Sequence, residues 1–224
     1  MSTEAWLLHK TPSGDTSTRL HLFTREKGLV SCLYKGGRTP KKQAILQAFI
    51  PLWLSLDTNK DWYYVRNLET VSVALDLKGI ALFAALYINE LVYYALKPLD
   101  PYPELYDAYH YTLRALASVT ERLAMEALLR KFEWALLCEC GYMLSFDDCE
   151  SGRAVCGNQR YRFVVGKGFT AAADGLSGAH ILAISQGQFI DVAVLKTAKL
   201  IMRQAINHFL GGRELQSRRL FKPQ

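Results

Sequence analysis

Thr18-Arg19-Leu20-His21-Leu22-Phe23-Thr24 alternates polar and apolar side chains, the period-two signature of a strand with one buried and one wet face. Upstream, Ala5-Trp6-Leu7-Leu8-His9 leads into the turn-rich Thr11-Pro12-Ser13-Gly14-Asp15. Downstream, Glu26-Lys27-Gly28 marks a second turn before the apolar run Leu29-Val30-Ser31-Cys32-Leu33-Tyr34. Segments 50–56 and 62–66 read as further strands, joined by the turn Asp57-Thr58-Asn59-Lys60-Asp61, and 68–75 can supply one more. Five or six short strands within about 75 residues suit a small barrel, and the five-stranded OB barrel is the usual oligonucleotide-binding version.

At Lys78-Gly79 the periodicity changes. Residues 80–96 read as a helix that ends at Lys97-Pro98, and Asp100-Pro101-Tyr102-Pro103 makes a rigid connection. A second helix is predicted over 104–118 and a third, capped by Thr120, over about 121–140, where Gly141 stops it. Residues 145–178 lack helical periodicity and predict an irregular insert with a small hairpin around Tyr161 to Phe169. Asp191 is placed to cap a last helix through Leu210, closed by Gly211-Gly212. The fold class is therefore α+β: an OB-fold nucleic-acid-binding domain over 1–78, then an all-helical domain over 79–224 with that insert.

The net charge of +6 is unevenly spread. Residues 1–78 hold eleven Lys/Arg against seven Asp/Glu, 79–195 hold nine against thirteen, and 196–224 hold seven against one. Basic ends around an acidic middle favour an anionic partner, with chance clustering as the alternative. The window 79–96 is too short for a membrane span and carries Asn89-Glu90 near its middle. The opening ten residues do not read as a secretory signal, and five cysteines in that setting predict free thiols in a reducing cytoplasm.

The stretch 28–56 carries Lys35, Arg38, Lys41 and Lys42, no carboxylate, and the turn residues Gly36-Gly37 and Pro40. It reads as a mobile basic loop suited to phosphates, whose neutralisation gives sequence-independent, salt-sensitive binding. Arg19 and Arg25 fall on the polar side of the alternating strand and join this set. Tyr34, Trp62, Tyr63 and Tyr64 are candidate base-stacking platforms or, alternatively, barrel packing.

The order of features along nearly the whole chain resembles the RecO family of bacterial recombination mediators. The resemblance rests on 17–28 (STRLHLFTREKG), 35–42 (KGGRTPKK), 46–49 (LQAF), 87–91 (YINEL), 129–137 (LRKFEWALL) followed by Gly141-Tyr142, and 210–221 (LGGRELQSRRLF). It implies an N-terminal OB-fold, a helical C-terminal domain and no enzymatic turnover. It further implies binding of single- and double-stranded DNA, annealing of complementary strands, contact with the C-terminal tail of single-stranded-DNA-binding protein, and work with RecR to load RecA. A cytoplasmic, nucleoid-associated protein is expected. The runner-up is a protein-interaction scaffold whose barrel binds nucleic acid, including RNA, only weakly.

An acidic tail ending in an aromatic residue needs an apolar pocket beside cations. Leu129 with Arg122, Arg130 and Lys131 meets that description, and an ordinary amphipathic helix whose Arg130 pairs with Glu126 or Glu133 accounts for the same residues equally well. Many RecO-like proteins carry zinc on two C-x2-C pairs. Here Cys138, Cys140, Cys149 and Cys156 give C-x-C, eight residues, then C-x6-C, a spacing poor for chelation even with His180 in reserve. No cofactor or metal is expected, and Phe146, Val155 and Phe163 are expected to fill the insert instead. Asp147-Asp148 with Glu150 reads as a solvated turn. H-E-x-x-H, G-x-x-x-x-G-K-[ST] and G-x-S-x-G are all missing, so no hydrolytic constellation stands behind an enzyme reading. Arg213, Arg218, Arg219 and Lys222 extend the DNA footprint, or the tail simply docks Leu220-Phe221 on the helices.

Overall fold

Alternation converts directly into a barrel. The computed structural model describes residues 2–60, 62–142 and 144–221. Strands β1 (Ser2–Ser13), β2 (Ser17–Thr24), β3 (Gly28–Tyr34), β4 (Pro51–Asn59) and β5 (Trp62–Thr70) close in the order β1-β2-β3-β5-β4, the arrangement of an OB-like barrel. All neighbours are antiparallel except β3 and β5, which meet in parallel through Cys32–Tyr63 and Leu33–Tyr64. Leu20, Leu22, Val30, Leu52 and Leu54 point inward and are fully buried, while Arg19, next to Leu20 in sequence, is exposed. The sixth strand does not form. β5 ends at Thr70, and Val71 and Val73 beyond it are exposed.

Three helices belong to this first unit. α1 (Pro40–Ile45) is a short turn between β3 and β4; α2 (Gly79–Ala95) and α3 (Pro103–Ser118) follow the barrel. The apolar run of β1 explains where they go. Trp6 packs edge-on against Tyr109 of α3 at 6.1 Å, and Phe23 against Tyr106 at 5.2 Å, so an outer face of the barrel is buried too. Asn89 of α2 donates to the Leu8 carbonyl at 2.6 Å and accepts from the Tyr109 hydroxyl at 2.8 Å, satisfying buried polar groups where the helices meet the strand. The strand-to-helix change falls at Gly79, but by contacts the chain divides elsewhere. Met1–Ala117 with Leu215–Gln224 form one unit and Ser118–Glu214 the other.

The second unit holds α4 (Arg122–Glu139), α5 (Gly178–Ser185) and α6 (Val192–Phe209) around the insert. Glu121, and not Thr120, occupies the cap position of α4, with no side-chain capping bond. Asp191 does cap α6, accepting from the Ala193 and Val194 amides. The insert contains the hairpin β6 (Arg160–Val164) and β7 (Gly168–Ala171), with β8 (Leu176–Ser177) on the other side of β6. Phe146, Val155 and Phe163 are buried there as expected, joined by Tyr161 and Phe169, and Phe146 stacks on Trp134 at 4.6 Å. Among the described residues no helix is long and apolar enough to cross a membrane.

Candidate nucleic-acid interface

The expected mobile loop is a pinned turn and helix. Gly37 donates to the Tyr34 carbonyl at 3.1 Å and Thr39 to that of Gly36 at 3.2 Å, and Pro40 then opens α1. A β-carbon on Gly37 would lie 2.9 Å from the Tyr34 oxygen and from Thr18 Oγ1, so this turn accepts only glycine without a shift. Gln43 of α1 donates to the Gly37 carbonyl at 2.6 Å, and Lys10 of β1 donates to Gln43 Oε1 at 3.1 Å. Arg38 reaches over the β1–β2 turn to the Asp15 carbonyl at 2.9 Å. Lys42 donates to the Lys35 carbonyl at 2.8 Å and lies 4.2 Å from the Tyr34 ring centroid. These contacts hold the cations at defined places, and Lys35, Arg38 and Lys41 remain exposed.

The charges continue onto the strands. Arg19 of β2 opposes Leu33 of β3, which opposes Tyr64 of β5, so one outward row crosses three strands. The Arg19 guanidinium lies 5.3 Å from the Trp62 ring and the Lys35 ammonium 5.4 Å from the Tyr64 ring. Trp62 is 49% exposed and Tyr64 half-buried, whereas Tyr34 is buried and Tyr63 packs against the barrel core. Of the four aromatic candidates, then, Trp62 and Tyr64 face outward among cations. Arg66, not singled out from sequence, shares this side of β5, and its guanidinium stands 3.7 Å from Asp57, the carboxylate opposite Tyr64. Its position two residues beyond Tyr64 on an alternating strand was the available signal.

Arg25 does not join this group. It sits six residues from Arg19, roughly 20 Å along the strand direction, and forms a two-pronged pair with Asp107 of α3 at 2.9 and 3.0 Å. That carboxylate holds the Arg25 pKa above, and the guanidinium the Asp107 pKa below, its ordinary value through direct hydrogen bonding. Arg25 thus serves a surface pairing between β2's end and α3.

The α4 residues are likewise divided. Arg130 is buried and donates to Glu133 at 2.8 Å, and Leu129 is buried beside it, so neither is presented to a partner. Glu126, the other candidate acid, pairs with Lys199 of α6 at 2.7 Å. Arg122 and Lys131 are exposed, but nine helical residues at 100° each place them about 180° apart.

Among the described residues, no three His, Cys, Asp or Glu side chains converge on a point suited to a metal. Cys138 lies near the end of α4, Cys149 contacts the Ser151 hydroxyl at 3.0 Å, and His180 Nδ1 meets the Thr197 hydroxyl at 3.0 Å. Among the described residues, Cys138, Cys140, Cys149, Cys156 and His180 are not gathered into one such group. In the C-terminal segment Arg213 and Arg219 are exposed, and Arg218 lies 5.8 Å from the Tyr87 ring; Lys222 falls outside the described residues, as does Asp61.

Comparison with known proteins agrees with this architecture. The family model "Recombination protein O N terminal" matches residues 1–74, and "Recombination protein O C terminal" matches residues 77–218. The chain is 55% identical over 224 residues to "DNA repair protein RecO" of Legionella pneumophila (strain Lens), covering 99% of this chain and 98% of the relative. It is 37% identical to the protein of that name from Aliivibrio salmonicida (strain LFI1238), over 98% of this chain and 94% of the relative. To that from Salmonella enteritidis PT4 it is 38% identical, over 97% and 92%. With both family models matching in order on an OB-like barrel followed by helices, the chain belongs to the RecO family of DNA repair proteins.

Proposed function

We propose that this protein is a recombination mediator that binds single- and double-stranded DNA, anneals complementary strands and helps load RecA on strands coated with single-stranded-DNA-binding protein. The observation that carries the reading is the set of Arg19 on β2 with Lys35, Arg38, Lys41 and Lys42 on the segment from β3 into α1, with outward aromatic rings beside Arg19 and Lys35. Annealing needs no catalytic group. Each strand brings dense negative charge, and a protein that neutralises phosphates on both lowers the cost of their encounter, after which the bases pair unaided. The protein acts without turnover, in the cytoplasm at the nucleoid, with RecR as its working partner. For the acidic tail of single-stranded-DNA-binding protein, Arg122 and Lys131 are the α4 cations that remain at the surface.

The test replaces Lys35, Arg38, Lys41 and Lys42 with Gln together and follows annealing of complementary fluorescent oligonucleotides across a salt series. Each lost phosphate contact should lower the slope of log affinity against log salt by about 0.7 for single strands, so four should remove up to about 3. Annealing on bare strands should slow in parallel. A variant with unchanged slope and rate would exclude this face as the DNA site. A wild-type protein that binds a partner peptide tightly but never anneals would instead favour a protein-interaction scaffold.

A further inference from the structure

Two tryptophans stand out on the surface of the same barrel, Trp53 at 44% exposure and Trp62 at 49%, and their electrostatic settings are opposite. Trp53 on β4 lies between Glu4 of β1 and Glu69 of β5, directly opposed on either side, where a phosphate would be repelled. Trp62 lies under the Arg19 guanidinium, and its neighbour on the same face, Tyr64, under the Lys35 ammonium. The only carboxylate opposed to that pair in the β4–β5 register is Asp57, whose charge Arg66 offsets at 3.7 Å.

Spacing adds a second argument. Trp62 and Tyr64 are two residues apart on one strand, so their Cα atoms are about 6.6 Å apart. Successive nucleotides of one duplex strand advance only about 3.4 Å. Neighbouring bases can occupy both rings only if the strand is pulled out to about twice that rise, with its own stacking broken.

Resting on the phosphate-binding reading above, we propose that Trp62 and Tyr64 are base-stacking platforms for an extended, unstacked single strand, with Arg19 and Lys35 moving from the rings to the flanking phosphates as bases arrive. Duplex DNA has no bases to offer these rings and is held by phosphate contacts alone. A strand held this way keeps its pairing edges away from the rings, ready for a complement. Purine runs, which stack most strongly on themselves, resist the required extension, so thymine runs bind better than adenine runs.

The experiment measures anisotropy of labelled strands of about 20 nucleotides, long enough to cover one OB barrel, with the full chain. The probes are oligo(dT), oligo(dA), a wholly abasic strand and a duplex, and the proteins are wild type, Trp62→Ala, Trp62→Phe and Trp53→Ala. Wild type should prefer oligo(dT) to the abasic strand by on the order of tenfold, and oligo(dT) to oligo(dA). Trp62→Ala should lose most of the first margin while abasic and duplex affinities and their salt slopes stay unchanged. Trp62→Phe should keep most of it, and Trp53→Ala all of it. A Trp62→Ala protein that retains the oligo(dT) margin, or loses duplex and abasic binding equally, overturns the platforms. Abasic and duplex strands that bind wild type without a salt slope would overturn the phosphate reading separately; a Trp62-dependent margin would then still support stacking.

Discussion

Protonating His21 costs this fold more than protonating a free imidazole. Its ring is partly buried against His9 and Tyr93, at 5.9 and 5.2 Å, and its Nδ1 meets the Ser31 hydroxyl at 2.9 Å. Burial, then His9 and Arg19, press its pKa below the ordinary 6.5. The unfolded chain therefore takes up the proton first as pH falls. The stabilisation is fully present above pH 6.5 and is lost as pH drops through 6.5 towards the lower folded value. His110, half-buried at 5.6 Å from Trp6, shifts in the same direction, chiefly by burial. Urea midpoints should therefore hold steady at neutral pH and decline below pH 6.5, well above the range where carboxylates titrate. His21→Gln should flatten that decline, and an identical decline in the variant would remove His21 from the account. At this scale the sequence was partly legible. Period-two alternation is local, so Arg19 outside and Leu20 inside could be read directly. Arg130 could not be placed, because Glu126 and Glu133 both stand within one helical turn of it. Lys199, from another helix, takes the first and leaves the second to Arg130.

Elements were legible where their signal lay within themselves. The five strands carry their own signal, alternation in β2 and short apolar runs bounded by turn residues in the others, and Asp191 announces α6 by a cap that needs only its next three residues. α1 was hidden because six residues with no side-chain cap give too little periodicity, and its hold on the barrel comes from Lys10, some thirty positions away. Gly28 shows the same division. Its role as a turn could be read from Glu26-Lys27-Gly28, but not its second duty. It has φ +62°, and a β-carbon there would fall 1.8 Å from the Asp100 carbonyl oxygen. The α2–α3 connection is pressed onto this point, with Leu99 donating to the Leu29 carbonyl at 3.0 Å. Gly28→Ala thus combines backbone strain with a collision against main chain that cannot rotate away. It should cost roughly 2–4 kcal/mol, read as a fall in thermal midpoint. Gly14→Ala, where φ is also positive but nothing lies within 4 Å, should cost less and reports the strain alone.

On the scale of the whole molecule, the chain returns to where it began. Leu215–Gln224 belong with Met1–Ala117 although the second unit separates them in sequence, a closure that the sequence offered only as the alternative of a tail docked on the helices, without saying which. Glu90 of α2 makes the return specific. Its carboxylate accepts from the Gln216 and Ser217 amides at 2.9 Å each and from the Ser217 hydroxyl at 2.5 Å, capping the final 3-10 helix, Gln216–Phe221. Leu215 is buried to 1% exposure, and Phe221 meets Phe83 and Tyr87 edge-on at 6.1 and 6.5 Å. The segment is therefore docked through Leu215 and the Glu90 cap, while Phe221 touches α2 with much of its ring still exposed and Arg219 is exposed. Ending the chain at Glu214 removes one fully buried leucine and three hydrogen bonds to a carboxylate. Net of the ordering entropy that fixing this segment costs, their loss should cost the first unit about 2–4 kcal/mol. Three of the four tryptophans lie in that unit and only Trp134 in the other, so a Trp134→Phe background makes tryptophan emission report the first unit alone. In that background the truncated chain should unfold at lower urea. Glu90→Gln should shift the midpoint the same way but less, because a neutral amide still accepts hydrogen bonds and Leu215 stays buried. A truncated chain with an unchanged midpoint would mean that the first unit holds itself together and the returning segment merely rests on it.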